Sequence, residues 1–130
     1  MKIFTDTNVL ISAFTSFGTC FDVLEDARKI HALYHSAFVL EEVKKVLQNK
    51  FLFPENMIRR FLCDVEIFST LGKSGDASTV TFGPDPSDRQ ILADAVANHL
   101  DAILTGDKAL LELKVYKHIQ ILSPKNYWRL

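Results

Sequence analysis

The sequence predicts an α/β fold with three layers, in which a parallel sheet of about five strands lies between helices. Short β-like runs alternate with longer helical patterns along the chain, and parallel strands need crossover connections that helices supply. The length of 130 residues and the 48% share of hydrophobic residues are typical of one globular core. We therefore expect residues 1–130 to form a single domain.

Short apolar runs bounded by polar residues or glycine predict the strands. The third of them follows the polar segment GKSGD at 72–76, which is the most flexible connection in the sequence. The strands are predicted at 2–5, 32–36, 79–82, 102–105 and 119–122.

Apolar residues at spacings of three and four positions predict the helices. Gly18 separates the first two, and Pro54 and Pro86 lie where the first turn of a helix tolerates proline. The helices are predicted at 8–14, 19–30, 38–50, 54–68, 86–98 and 108–113, with a closing element at 124–128.

Charge and cysteine content limit the classes of function that this sequence can have. With 15 Lys+Arg against 16 Asp+Glu, the chain lacks the basic surface that coats nucleic acid, so any such contact must be local or metal-assisted. Cys20 and Cys63 have no C-x-x-C spacing, which indicates a reducing compartment without disulfide or zinc. The apolar runs are too short for a membrane span or a signal peptide, so we expect a cytoplasmic protein with no membrane partner.

Polar side chains follow the predicted strands. Asp6 follows the first strand, Ser36 ends the second, Asp85 and Asp88 follow the third, and Asp107 follows the fourth. Sites of α/β sheets lie outside the carboxyl ends of the strands, so we expect these groups at one edge. Each acid also has a structural interpretation, as a helix N-cap or, for Asp88, as a capping-box partner.

Helical phase favours some of these acids over others. Asp88 lies near the middle of the apolar stripe of the 86–98 helix, whereas Asp94 lies about 130° away and is expected on the polar face. In the 38–50 helix, Glu42 borders the apolar stripe, whereas Glu41 lies near the opposite face, where it would pair with Lys45. Asp88 and Glu42 are therefore the inward candidates.

Four carboxylates are thus expected in one cleft, and they are Asp6, Glu42, Asp88 and Asp107. Like charges raise one another's pKa values, so such a cluster requires a cation to stay ionised. Oxygen ligands suit Mg²⁺ or Mn²⁺, and the chemistry natural to such a site is phosphodiester or phosphoryl transfer.

Several segments together resemble a known family. They are DTNVLISAF (6–14), SAFVLEEV (36–43), DPSDRQILADA (85–95), DAILTGDKALL (101–111) and ILSP (121–124). The chain resembles PIN-domain proteins, above all the prokaryotic ones of toxin–antitoxin systems, which are similar in chemistry to VapC-like ribonucleases. The resemblance runs from Lys2 to about Tyr127.

The resemblance implies roles for individual residues. Asn8 and Thr105 would support the acids, Ser36 lies where the family often has Ser or Thr, and Asp85 would be a supporting group or a cap. Ser87 lies where relatives often carry another acid. The catalytic and metal-binding residues that the resemblance implies are Asp6, Glu42, Asp88 and Asp107.

The implied activity is that of a Mg²⁺- or Mn²⁺-dependent endoribonuclease. Water would attack an RNA phosphodiester in line and leave 5′-phosphate and 3′-hydroxyl ends, and the protein would be the toxin of a pair with an antitoxin partner. The alternative is a non-catalytic PIN-like module that binds RNA or protein. A phosphatase or phosphoacceptor domain is disfavoured because Asp6 does not begin a D-x-D-x-T block.

Two further groups of side chains, one basic and one apolar, are candidates for contacts with other molecules. Basic residues concentrate in the centre of the chain, where they form a solvated face or, if they border the acidic cleft, a phosphate contact; they are Lys44, Lys45, Lys50, Arg59 and Arg60. Apolar side chains expected to be exposed on the central helix pair predict a homodimer; they are Phe51, Phe53, Phe61 and Leu62.

Overall fold

The computed structural model describes residues 1–81 and 85–130, and six strands form its sheet. The strand order is β3-β2-β1-β4-β6-β5; all neighbours are parallel except β5 and β6, which are antiparallel. The strands are β1 (Lys2–Thr5), β2 (Ala32–His35), β3 (Thr70–Leu71), β4 (Ala102–Leu104), β5 (Val115–Tyr116) and β6 (Ile119–Leu122). The predicted α/β class with a mostly parallel sheet is confirmed.

Helices supply the crossovers between the parallel strands. Two short 3₁₀ segments, Ala77–Thr79 and Pro124–Arg129, complete the described elements. The helices are α1 (Thr7–Ser16), α2 (Thr19–Ile30), α3 (Ala37–Asn49), α4 (Glu55–Phe68), α5 (Pro86–Ala97) and α6 (Lys108–Leu113). Among the described residues no single helix is long and apolar enough to cross a membrane; only α1 and α2 together, a pair bent by 106°, reach that length and composition.

The core surrounds the two central strands. Successive side chains of a strand point to opposite faces. In β1, Ile3 and Phe4 are both buried, and all three residues of β4 are buried. Both faces of the sheet centre are therefore covered, which gives the three layers.

The third strand was predicted at the wrong place. It is Thr70–Leu71, directly after α4, and its pairing with β2 continues in a hydrogen bond from the Gly72 N–H to the His35 carbonyl. The predicted run 79–82 instead begins in a 3₁₀ turn, because the Asp76 carboxylate accepts from the Ser78 N–H and favours a turn there. Phe82, at the end of the predicted run, lies outside the described residues.

The sixth strand was not predicted. β5 and β6 form a hairpin in which Val115 pairs with Gln120 and Tyr116 with Ile119. A strand of two residues is too short to show the alternation by which strands are recognised. The hairpin adds one antiparallel strand to the five parallel ones.

The topology places a crevice between β1 and β4. From β1 the chain crosses to β2 on one side, whereas β4 continues to β6 on the other. Such a reversal opens a crevice outside the carboxyl ends of the strands, which is where α/β folds bind ligands. Asp6 and Thr105 are the first residues after β1 and β4, so both lie at this crevice.

Candidate active site

Asp6 lies at the end of β1 and begins α1. Its backbone N–H donates to the Leu104 carbonyl at 3.0 Å, which ties it to β4. Its carboxylate accepts from the Thr7 N–H at 2.7 Å and from the Thr105 hydroxyl at 2.6 Å. Burial to 5% exposure raises the pKa of Asp6, the bonds from Thr105 and Thr7 oppose that rise, and the charges of Glu42 and Asp107 add to it. Asp6 is therefore both a helix cap and a member of an acidic cluster.

The loop after β4 places Asp107 beside Asp6. The Thr105 hydroxyl accepts from the Asp107 N–H at 3.0 Å while donating to Asp6. Asn8 accepts from the Gly106 N–H at 3.1 Å, so α1 also holds this loop. Asp107 caps α6 by accepting from the Ala109 N–H at 2.9 Å. Thr105 and Asn8 thus link the two strand ends that present the acids.

Asp88 points into the cluster from the first turn of α5. It is 4% exposed, and its pKa is raised to about 7. Burial is the largest cause, followed by a hydrogen bond with the Asp107 carboxyl and by the charges of Asp107, Asp85 and Asp6. Neighbouring carboxyl groups oppose each other's ionisation unless a cation lies between them.

Glu42 completes the cleft from α3. It is half-buried, and its carboxylate accepts from the Thr7 hydroxyl at 3.1 Å. Ser36 is buried and caps the same helix by accepting from the Val39 N–H at 3.2 Å. Ser36 therefore acts on the site through the helix that carries Glu42.

Asp85 is the exposed N-cap of α5. Its carboxylate accepts from the Ser87 N–H at 2.9 Å, and its charge raises the pKa of Asp88. The two roles left open for Asp85, a cap and a supporting group of the acidic cluster, are therefore compatible in this structure.

The acids line one end of a cleft of about 470 Å³. Its floor is α1, which presents Asn8, Ser12 and Thr15 at spacings of four and three residues. Lys50 and Phe51, at the C-terminal end of α3, line the cleft as well. The five basic residues were predicted to form a solvated face or, if they border the acidic cleft, a phosphate contact. Of the five, only Lys50 lines this cleft; Lys44 and Arg59 line a second depression, and Arg60 lines a third.

Sequence reasoning missed Thr7, Ser12 and Thr15. Thr7 donates its N–H to Asp6 and its hydroxyl to Glu42, which links two acids of the cluster. The available signal was position: Thr7 follows Asp6 directly, and Ser12 and Thr15 continue the helical face of Asn8.

Asp94 was wrongly predicted to lie on a polar face. It is fully buried, and its carboxylate accepts from the Gly75 N–H at 2.7 Å and from the Gln90 side-chain amide at 2.9 Å. The segment that contains Gly75 covers this face of α5, so closely that a Cβ at Gly75 would lie 2.1 Å from the Ala93 carbonyl oxygen.

The donor set suits a hard divalent cation. Within residues 1–81 and 85–130, no group of three or more acidic, histidine or cysteine side chains is arranged to hold a metal ion as it stands. The carboxyl groups of Asp88 and Asp107 lie in contact, and a bound cation would relieve the repulsion between them. All four predicted ligands line the cleft and offer only oxygen, which Mg²⁺ and Mn²⁺ prefer.

Comparison with protein families identifies the fold. A family model described as the PIN domain matches residues 2–109. The chain belongs to the PIN-domain family. Comparison of this PIN domain with curated proteins finds no match. Among solved structures it is similar to VapBC2 from Rickettsia felis bound to a DNA fragment from their promoter, with 15% identity, a TM-score of 0.69, and coverage of 95% of this chain and 98% of that chain.

Proposed function

We propose that this PIN domain is a Mg²⁺- or Mn²⁺-dependent endoribonuclease that hydrolyses RNA phosphodiester bonds. The observation that supports it is the packing of Asp6, Asp88 and Asp107 at the ends of β1 and β4, where burial, followed by the neighbouring carboxyl groups, raises the pKa of Asp88 to about 7. Burying mutually repelling acids opposes folding, and a bound divalent ion removes that repulsion. A module that only docks a partner has no use for such a cluster.

The residues of the cleft have separable roles in this proposal. Asp6, Glu42, Asp88 and Asp107 would hold the cation, which when bound activates water for in-line attack on phosphorus and stabilises the leaving 3′ oxygen. Thr105 orients the Asp6 carboxylate, and Thr7 orients both Asp6 and Glu42. Such hydrogen bonds fix the direction of a ligand's lone pairs before the cation arrives.

Metal dependence tests the proposal directly. The purified protein should cleave single-stranded RNA with Mg²⁺ or Mn²⁺, and excess EDTA should stop it. Titration calorimetry with Mn²⁺ alone should show binding without any substrate. Cleavage that persists in EDTA contradicts a metal-dependent mechanism, and RNA binding without cleavage under any divalent ion supports the binding-module alternative.

A toxin role is part of the same proposal. It is supported by the fold shared with VapBC2, and it implies RNA as substrate, an antitoxin protein as partner and the cytoplasm as location. Induced expression in a bacterial host should arrest growth, and co-expression of the neighbouring gene should restore it. Growth that is unaffected by a soluble, cleavage-competent protein removes the toxin role and leaves the nuclease.

We also propose a homodimer, with a corrected basis. Phe61 is 6% exposed and belongs to the core, and Phe53 and Leu62 are half-buried, so the sequence overestimated their exposure. The exposed apolar side chains of α4 are instead Met57 and Ile67. Light scattering at micromolar concentration should give twice the 14.7 kDa of one chain, and a monomer mass excludes the dimer.

A further inference from the structure

The cleft extends well beyond the acidic cluster. It follows α1 from Thr7 to Thr15, a distance of about 12 Å at 1.5 Å per residue. One nucleotide of a stacked strand takes about 3.4 Å. The cleft therefore has room for nucleotides beside the one that carries the reacting phosphate. Lys50 lies about 12 Å along α3 from Glu42, at 1.5 Å per residue, so Lys50 and Phe51 lie at the far end from the acids.

The backbone at the far end is held rigidly at the end of α3. The N–H groups of Lys50 and Phe51 both donate to the Val46 carbonyl, at 2.9 and 3.2 Å, and the Phe53 N–H donates to the Leu47 carbonyl at 3.0 Å. These bonds satisfy carbonyls that a helix end leaves free. A ring mounted on such a backbone loses little freedom when a ligand binds.

Phe51 presents an accessible aromatic face there. It is 41% exposed although it lines the cleft, and its contact with Phe53 is edge-on, with ring centroids 5.6 Å apart and planes at 75°. An edge-on contact with Phe53 covers at most one face of the Phe51 ring, so the other face is not used by this pair. Aromatic faces bind unpaired bases by stacking, with little dependence on base identity.

Lys50 supplies a positive charge next to that ring. It is exposed, and within the described residues no carboxylate lies within ion-pairing distance of it. At the acidic end of the same cleft the side chains repel a phosphate backbone. A lysine at the opposite end is placed to bind the phosphate of a flanking nucleotide.

We infer that Phe51 and Lys50 form a nucleotide-binding arm, in which Phe51 stacks on an unpaired base and Lys50 contacts the neighbouring phosphate of a strand that reaches the acidic cluster. The inference rests on the proposed nuclease function. It adds to that function a binding position for an unpaired base of the single-stranded substrate, because bases stacked within a duplex cannot turn out onto Phe51.

The arm is tested by RNA binding in EDTA, where no cleavage interferes. Fluorescence anisotropy with a labelled single-stranded oligoribonucleotide measures affinity, and the same sequence annealed to its complement should bind more weakly. Phe51→Leu and Phe51→Ala should each weaken binding of the single strand by about 5- to 150-fold, the range for loss of one stacked base. Phe51→Trp should retain it, because it keeps an aromatic face.

Salt dependence separates the two residues of the arm. Lys50→Gln should lower the slope of log affinity against log salt by about 0.7, the value for one phosphate contact on a single strand, and Lys50→Arg should restore it. Phe51→Leu should leave that slope unchanged. Leu52→Ala and Lys45→Gln are matched controls, since both residues are exposed neighbours outside the cleft.

Each result bears on the inference separately from the nuclease function. Wild-type affinity in Phe51→Leu and Lys50→Gln overturns the arm, and so does an affinity loss that accompanies a changed molecular mass, since Phe51 would then belong to an interface between copies or with a protein partner. The nuclease proposal survives either result if the wild type still cleaves with Mg²⁺. Aromatic-dependent binding without cleavage supports the arm and contradicts the nuclease.

Discussion

The same helix, α5, buries two aspartates in opposite surroundings. Asp88 faces Asp107, Asp85 and Asp6, and burial together with these acids raises the pKa of its carboxyl to about 7. Asp94 instead meets donors, the Gly75 N–H and the Gln90 amide. Burial alone therefore does not mark a functional acid. Asp88 is repelled by the acids that it packs against, whereas Asp94 accepts two N–H bonds on its Oδ1, although its Oδ2 has no partner among the described residues.

Replacing Asp88, which packs against other acids, should have the largest effect on activity. Asp88→Asn should reduce RNA cleavage by at least about 100-fold, because it removes a proposed cation ligand. The melting temperature of the metal-free protein should stay the same or rise, because one repelling carboxylate is gone. A cleavage assay paired with thermal melting, with and without Mg²⁺, measures both.

The matched control for Asp88 is Glu41→Gln. Glu41 is exposed and pairs with Lys44 at 3.4 Å, one residue earlier than the Lys45 partner that the sequence suggested. Glu41→Gln should noticeably change neither RNA cleavage nor the melting temperature. Full activity in Asp88→Asn removes that residue from the site and leaves it as an ordinary first-turn acid.

Replacing Asp94, which accepts from N–H donors, should lower stability rather than activity. Asp94→Ala should lower the free energy of unfolding by about 2–4 kcal/mol, because two hydrogen bonds to a charged group are lost in a buried position. Urea denaturation measures this loss. Cleavage per folded molecule should change far less than in Asp88→Asn, and the reverse pattern would mean that Asp94 belongs to the active site.

Removing the Thr105 hydroxyl, which donates to Asp6, should have an intermediate effect, and that effect is on metal affinity. Thr105→Val keeps the side-chain shape but removes the 2.6 Å hydrogen bond to Asp6 and the acceptor for the Asp107 N–H. Mn²⁺ affinity, measured by calorimetry, should fall by about 10- to 100-fold, the usual range for an outer hydrogen bond to a metal ligand. Unchanged Mn²⁺ affinity would show that Asp6 needs no such support.

Replacing the buried His35 should produce the smallest effect. That effect is on stability, and it depends on pH. His35 is 1% exposed, and its ring contacts the Ser69 hydroxyl at 2.9 Å. Burial lowers the pKa of His35, partly opposed by Glu66. Below the ordinary value of 6.5 the unfolded chain binds a proton that the folded protein resists, so this contribution to stability is lost as the pH falls.

The His35 contribution is measured as a difference between two proteins. Urea denaturation at pH 7.5 and pH 5.5 should show a larger acid-induced loss for the wild type than for His35→Gln. Contributions from the carboxyl groups cancel in that difference. Equal losses in the two proteins would show that His35 takes up its proton as readily in the folded state as in the unfolded chain.

Local sequence signals were enough to predict most of the helices and strands and the aspartates at their ends. The ends of α2, α6 and β6 were predicted as observed, because caps and breaks lie within a few residues of each boundary. The aspartates that follow β1 and precede α5 and α6 were predictable as caps for the same reason. β3 and β5 were not predicted, since two residues carry no period.

Only the tertiary structure decided what each side chain faces. Helical periodicity describes the faces of one helix but not the segments that cover them, so Asp94 looked exposed until the loop at Gly75 was seen to lie on it. The contact between Asp88 and Asp107 joins two elements whose approach depends on strand order. The placement of Lys50 and Phe51 in the cleft of Asp6 likewise depends on how α3 packs beside α1, a long-range contact that no local pattern contains.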